Sequence, residues 1–270
     1  MLLFARTFQL NAFDLNKRIL WHQHNFLFVS KNAGFNFGEN AIASQEELKT
    51  ASQRAQAVWL RYRSGKLKAS DPARTGVDRL ERIHFVRAMG EIDRWDASHG
   101  AAVREMLSDS DPTVRRVAAD ALARHPDLAN VKPLLAISET VDPRDVQLGH
   151  AIRIAVRNQL REPSVWDGIV GLELKQAQAA QLLSFALAVP SESAAAFCLD
   201  YLQKQDVEPE MLNRSLAHAA RHIAPARLDE VAQFVLRKYP DDFPKQTTLR
   251  SEEHTSELQS HLNLVCRLLL

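Results

Sequence analysis

Glycine, cysteine and aromatic residues are all scarce in this chain, and each scarcity removes a class of protein. Nine glycines in 270 residues leave little room for β-hairpin turns or for loops that cradle phosphate. Two cysteines cannot build a disulfide framework or a four-cysteine zinc site. Neither charge sign dominates: Lys+Arg is 34 and Asp+Glu is 33, a net charge of +1, so the strongly basic signature of a non-specific nucleic-acid binder is missing. No run of about 18 apolar residues exists, which excludes a transmembrane helix. No basic segment followed by a continuous apolar run marks a secretory signal. Gly-x-Gly-x-x-Gly, the phosphate-loop Gly-Lys-Ser/Thr, Gly-x-Ser-x-Gly, His-Glu-x-x-His and Cys-x-x-Cys-His are all absent. What remains is 46% hydrophobic and 25% charged, enough apolar content to bury a core and too much for disorder. Alanine is plentiful while aromatics stand at 7%, a mixture that favours helices.

From Ser44 to about Tyr239 the apolar spacing is helical throughout. Ser44-Gln45-Glu46-Glu47 reads as a capping box, followed by Leu48, Ala51, Ala55, Val58 and Tyr62 on one face, with Gly65 as the stop. Asp71-Pro72, Asp111-Pro112 and Asp142-Pro143 read as helix starts, with Glu208-Pro209 as a variant. The carboxylate caps free N–H groups, and proline at the first helical position loses nothing there. Ser164 and Ser191 read as further N-caps. The spacing predicts helices near 44–64, 75–90, 97–107, 112–124, 128–140, 143–161, 164–174, 176–188, 191–204, 208–222 and 226–239, joined mostly by short connections and thus paired antiparallel.

Several of these segments resemble one another. Arg82-x-x-Phe85-x-x-Ala88-Met89 aligns with Arg115-x-x-Ala118-x-x-Ala121-Leu122 at an offset of 33, and Ala118-x-x-Ala121-Leu122 aligns with Ala151-x-x-Ile154-Ala155 at the same offset. A period in that range points to stacked helical repeats. The run from Leu107 through Asp109, Asp111-Pro112, Val114-Arg115 and Ala118 to Leu122 resembles a HEAT repeat. The resemblance implies an all-α fold, a right-handed α-α superhelix of HEAT/armadillo type. It also implies that Arg115 braces a neighbouring repeat through Asp109 or Asp111, and that Ala118 and Ala121 lie buried between adjacent helices. A narrower likeness covers about 54–166, on Arg124-His125-Pro126-Asp127-Leu128 and Leu148-x-His150-x-x-Arg153-x-Ala155-x-Arg157-Asn158-Gln159-Leu160. These are similar to the HEAT section of large multidomain proteins of planctomycete and related bacteria. That likeness implies an exported parent that joins dehydrogenase-like and c-type haem domains to the repeats.

Both ends differ from the middle. Residues 1–40 hold seven of the twelve phenylalanines and six of the ten asparagines, without helical or alternating periodicity, and read either as an irregular arm or as foreign sequence. Residues Arg250 to Leu270 resemble a translated sequencing adapter, which matches all eighteen residues that it fixes. That resemblance implies that Cys266 is not biological and leaves Cys198 as the single cysteine. The expected organisation is an irregular or non-native arm over 1–42, a helical-repeat domain over 43–240, a linker over 241–249 and an adapter-derived tail over 250–270.

Candidate chemistry is sparse. His22-x-His24 has no third ligand at metal-site spacing, and His218 and His222 share a helix face without a carboxylate between them, so both pairs read as solvated or groove histidines. Cys198 reads as a buried apolar residue. Trp59, Trp95 and Trp166 read as packing anchors. Arg153, Arg157 and Arg161 form a basic stripe at four-residue spacing. No cofactor, catalytic residue or resident metal is expected. The sequence points to a non-enzymatic scaffold that offers Arg116, His150, Arg153 and Arg157 to another protein or a neighbouring domain. The alternative is the repeat section of an exported haem-containing oxidoreductase whose catalytic domains lie elsewhere. A HEAT-type DNA glycosylase would need a markedly basic face, which the charge balance opposes.

Overall fold

The computed structural model describes residues 50–71 and 77–238. Compactness divides the chain into Met1–Lys49 and Thr50–Leu270, and every described residue belongs to the second unit. Within it lie eleven α-helices and no strand among the described residues: α1 (Ala51–Arg63), α2 (Arg79–Met89), α3 (Ala97–Glu105), α4 (Pro112–Leu122), α5 (Leu128–Thr140), α6 (Val146–Leu160), α7 (Pro163–Ile169), α8 (Gln176–Ala186), α9 (Glu192–Lys204), α10 (Pro209–His222) and α11 (Leu228–Lys238). The protein is thus all-α over this range, and no described helix is long and apolar enough to cross a membrane.

Local chemistry sets most starts. The side chains of Asp78, Asp96, Asp111, Asp127, Asp145 and Ser191 each accept from a backbone N–H of the first turn, the free donors that every helix N-terminus leaves. Thr50 and Gln53 form a capping box at α1. Gly65, at φ 67°, turns the chain out of α1, a left-handed conformation that costs glycine nothing.

Three expectations are corrected, and a fourth, the box at Ser44–Glu47, lies outside the described residues; within them α1 starts from Thr50. Asp142-Pro143 does not open α6: Asp142 accepts from the Arg144 N–H and holds its guanidinium at 2.6 Å, while Asp145 caps Leu148 three residues later. Ser164 caps nothing at α7, whose N-cap is Glu162 with Pro163 first in the helix. Asp71 accepts from the Lys68 N–H instead of starting α2, which Asp78 caps; Pro72 lies outside the described residues.

Packing follows chain order. α1 lies against α2, α2 against α4, α4 against α6, α5 against α6, and α9 against α10. Small residues permit the α2–α4 approach. A Cβ placed on Gly90 would stand 3.1 Å from the Ala121 Cβ and 3.2 Å from its Cα. Ala118 and Ala121 are buried at this contact. One apolar cluster runs from Val58 through Met89, Ala118, Leu135 and Ile152 to Cys198. A second gathers Leu199, Leu202, Leu212, Leu216 and Phe234 from α9 to α11.

Candidate functional site

The sequence-predicted surface centres on α6, whose sides divide by burial. Leu148, Ala151, Ile152, Ala155, Val156 and Gln159 are buried, whereas His150, Arg153 and Arg157 are exposed, as is Arg161 at the C-cap. Among the described residues no carboxylate pairs with Arg153, Arg157 or Arg161. Arg116 belongs to α4, is only half-buried, and donates to the Gln147 Oε1 on α6. The arginine therefore ties two helices together while it borders the stripe.

A polar lattice holds α6 in position. Gln159 has no exposed surface and satisfies both ends of its amide. Its Oε1 accepts from the Asp127 N–H at 2.8 Å and from the Asn130 Nδ2 at 3.1 Å, and its Nε2 donates to the Leu122 carbonyl at 2.9 Å. Asn130 also donates to the His125 carbonyl and accepts from the Arg104 Nη1 at 3.0 Å. Asn158 donates to the Ala123 carbonyl. The C-terminal ends of α4 and α6 and the start of α5 thus share one hydrogen-bonded knot. His125 extends it to α2: its Nε2 lies 3.1 Å from the Gly90 carbonyl, and its ring stacks on Trp95 with centroids 3.9 Å apart. Sequence reasoning left this knot out because buried amides look like surface amides until their partners, roughly thirty residues away, are known.

The arginine brace also differs from expectation. Asp109 is held by Arg82, whose Nε and Nη2 donate at 2.8 and 3.1 Å, and Asp111 is held by Arg79. Arg115 instead donates to the Asp109 and Ser110 carbonyls of its own turn. Glu91 and Arg124 form a further pair between the ends of α2 and α4.

The tryptophans pack and hydrogen-bond. Trp59 donates to the His84 Nδ1 at 2.8 Å, and buried Trp166 donates to the Leu160 carbonyl at 2.7 Å. Cys198 is fully buried, and burial pushes its thiol up to about 12, which removes the thiolate that nucleophilic or metal chemistry needs. His22 and His24 lie outside the described residues. No group of three His, Cys, Asp or Glu side chains converges for a metal among the described residues.

Of the α10 histidines, read from the sequence as solvated or groove residues, one is buried and the other half-buried. His218 is 8% exposed and its Nε2 has no hydrogen-bond partner. The His222 ring, half-buried, stands 4.8 Å away by ring centres. Burial first, then the His222 and Arg221 charges, push the His218 imidazole down to about 4; burial and Arg221 lower His222. One turn earlier on the same stripe, Ser215 is fully buried with an unpartnered Oγ. Each such orphan costs roughly 1–3 kcal/mol relative to a satisfied group.

No family model matches this chain, and neither the curated proteins nor the solved structures contain a significant match to it.

Proposed function

We propose that this chain is a non-enzymatic helical-repeat scaffold of HEAT/armadillo type, a right-handed solenoid that presents the α6 stripe to an acidic face of another protein or of a neighbouring domain. The observation that carries this reading is the set of exposed arginines, Arg153, Arg157 and Arg161, without carboxylate partners on a helix held by a buried amide knot. A guanidinium stripe at one-turn intervals matches carboxylates displayed with the same spacing, and a fixed helix loses little entropy on binding. Repeat character is supported by the starts of α2, α4 and α6 at Arg79, Pro112 and Val146, spaced 33 and then 34 residues apart, and by their successive packing. Arg116 and His150 border the stripe and complete the contact area.

The test is photo-crosslinking in the producing cell from a reactive amino acid at Arg153, with Glu173 as the control position. A discrete adduct from position 153 that weakens with salt and disappears when Arg157→Glu and Arg161→Glu are added supports the reading. Identical adducts from both positions would remove this surface as a docking site.

A further inference from the structure

We infer that His218 and His222 form a two-histidine site for a borderline divalent metal ion, for which Zn²⁺ is the probe, chelated across the last turns of α10. Two of the three buried side-chain polar atoms without a partner among the described residues, the His218 Nε2 and the Ser215 Oγ, lie on this one stripe. Unsatisfied buried groups gathered at one place point to a missing occupant. The ring spacing suits an ion. The ring centres stand 4.8 Å apart, near enough for one ion at the usual distance of about 2.0–2.1 Å from an imidazole nitrogen to be shared by the two side chains.

The donor set selects the ion. Imidazole nitrogen prefers zinc, copper and nickel over calcium or magnesium. Both rings are held in the neutral form, which keeps the coordinating lone pair available. No carboxylate or thiolate among the described residues converges with the pair, so the remaining coordination positions would fall to water. The Arg221 charge, between the two histidines in sequence, opposes a cation. The ion is therefore exchangeable, unlike a closed structural zinc.

Isothermal titration of the full chain with Zn²⁺ tests this, comparing the unmodified chain with His222→Ala and His218→Ala. The chain holds ten histidines, so the reading is the difference between proteins. Losing one arm of a chelate removes one class of zinc site or weakens it roughly a hundredfold. The His218 and His222 imidazole resonances should also shift together at the first zinc equivalent. His222 is half-buried, so its alanine variant keeps the fold even where His218→Ala does not. Zinc isotherms indistinguishable between the unmodified chain and His222→Ala, with both resonances unmoved, would overturn the site and leave water as the partner of the orphan atoms.

Discussion

At His218 a single side chain sets a pH dependence for the whole fold. Its imidazole titrates near 6.5 when unfolded and near 4 when folded, so the unfolded state binds the extra proton between those values. Stability is fully present above about pH 6.5, falls as pH drops toward 4, and the loss reaches at most about 3 kcal/mol. Urea denaturation at pH 7 and pH 4.5 should show this decline, and His218→Leu should flatten it. An equal pH slope in the leucine variant would place the effect elsewhere. The sequence offered little warning of this burial, because His218 shares its helix with Arg214, Arg221 and His222, and such a histidine reads as solvated or as lining a groove. Only the alanines around it, Ala217, Ala219 and Ala220, signal a position where helices come close enough to cover an imidazole. Cys198 was legible for the opposite reason: its neighbours Phe197 and Leu199 are apolar, and a thiol makes no polar demand.

At the scale of the helix, what could be read in advance was the chemistry of the helix ends. Asp111-Pro112 and Ser191 start helices as their sequences predict, because a cap and its N–H partners are at most three residues apart. Asp142-Pro143 misled because two aspartates compete within one turn: Arg144 takes the first, and the second caps α6. The knot around Gln159 was invisible because the bonds that tie this amide to other elements span 29 to 37 residues, and no local pattern announces them. Its energetic weight is testable. Gln159→Leu keeps the volume but strands the Asp127 N–H, takes one of the two acceptors of the Asn130 amide, and leaves the Leu122 carbonyl with the His125 N–H alone. We expect a loss of about 2–4 kcal/mol by chemical denaturation, with helix content unchanged. A loss below ~1 kcal/mol would mean that water replaces the amide. The α6 stripe was itself readable from four-residue spacing, whereas the tie between Arg116 and Gln147 was not.

Across the molecule, α9 is the shared wall between two apolar clusters. Ala194 and Cys198 belong to the first, and Ala195, Leu199 and Leu202 to the second. Arg227 adds a bridge from the start of α11 to Asp200 on α9 at 2.7 Å. Loosening of the second cluster should therefore also loosen the side of α9 that faces the first. That coupling gives the buried thiol a further significance: α9 carries its own clock. A thiol pushed up to about 12 and wholly enclosed reacts with an aromatic disulfide reagent only while the helix is open, so its labelling rate reports the frequency of opening. With Cys266→Ser making it the single thiol, Leu199→Ala should speed labelling at Cys198 even though the altered residue packs in the other cluster. An unchanged rate would show that the two clusters open independently. The rate in the unmodified wall counts how often one end of the molecule lets go of the other.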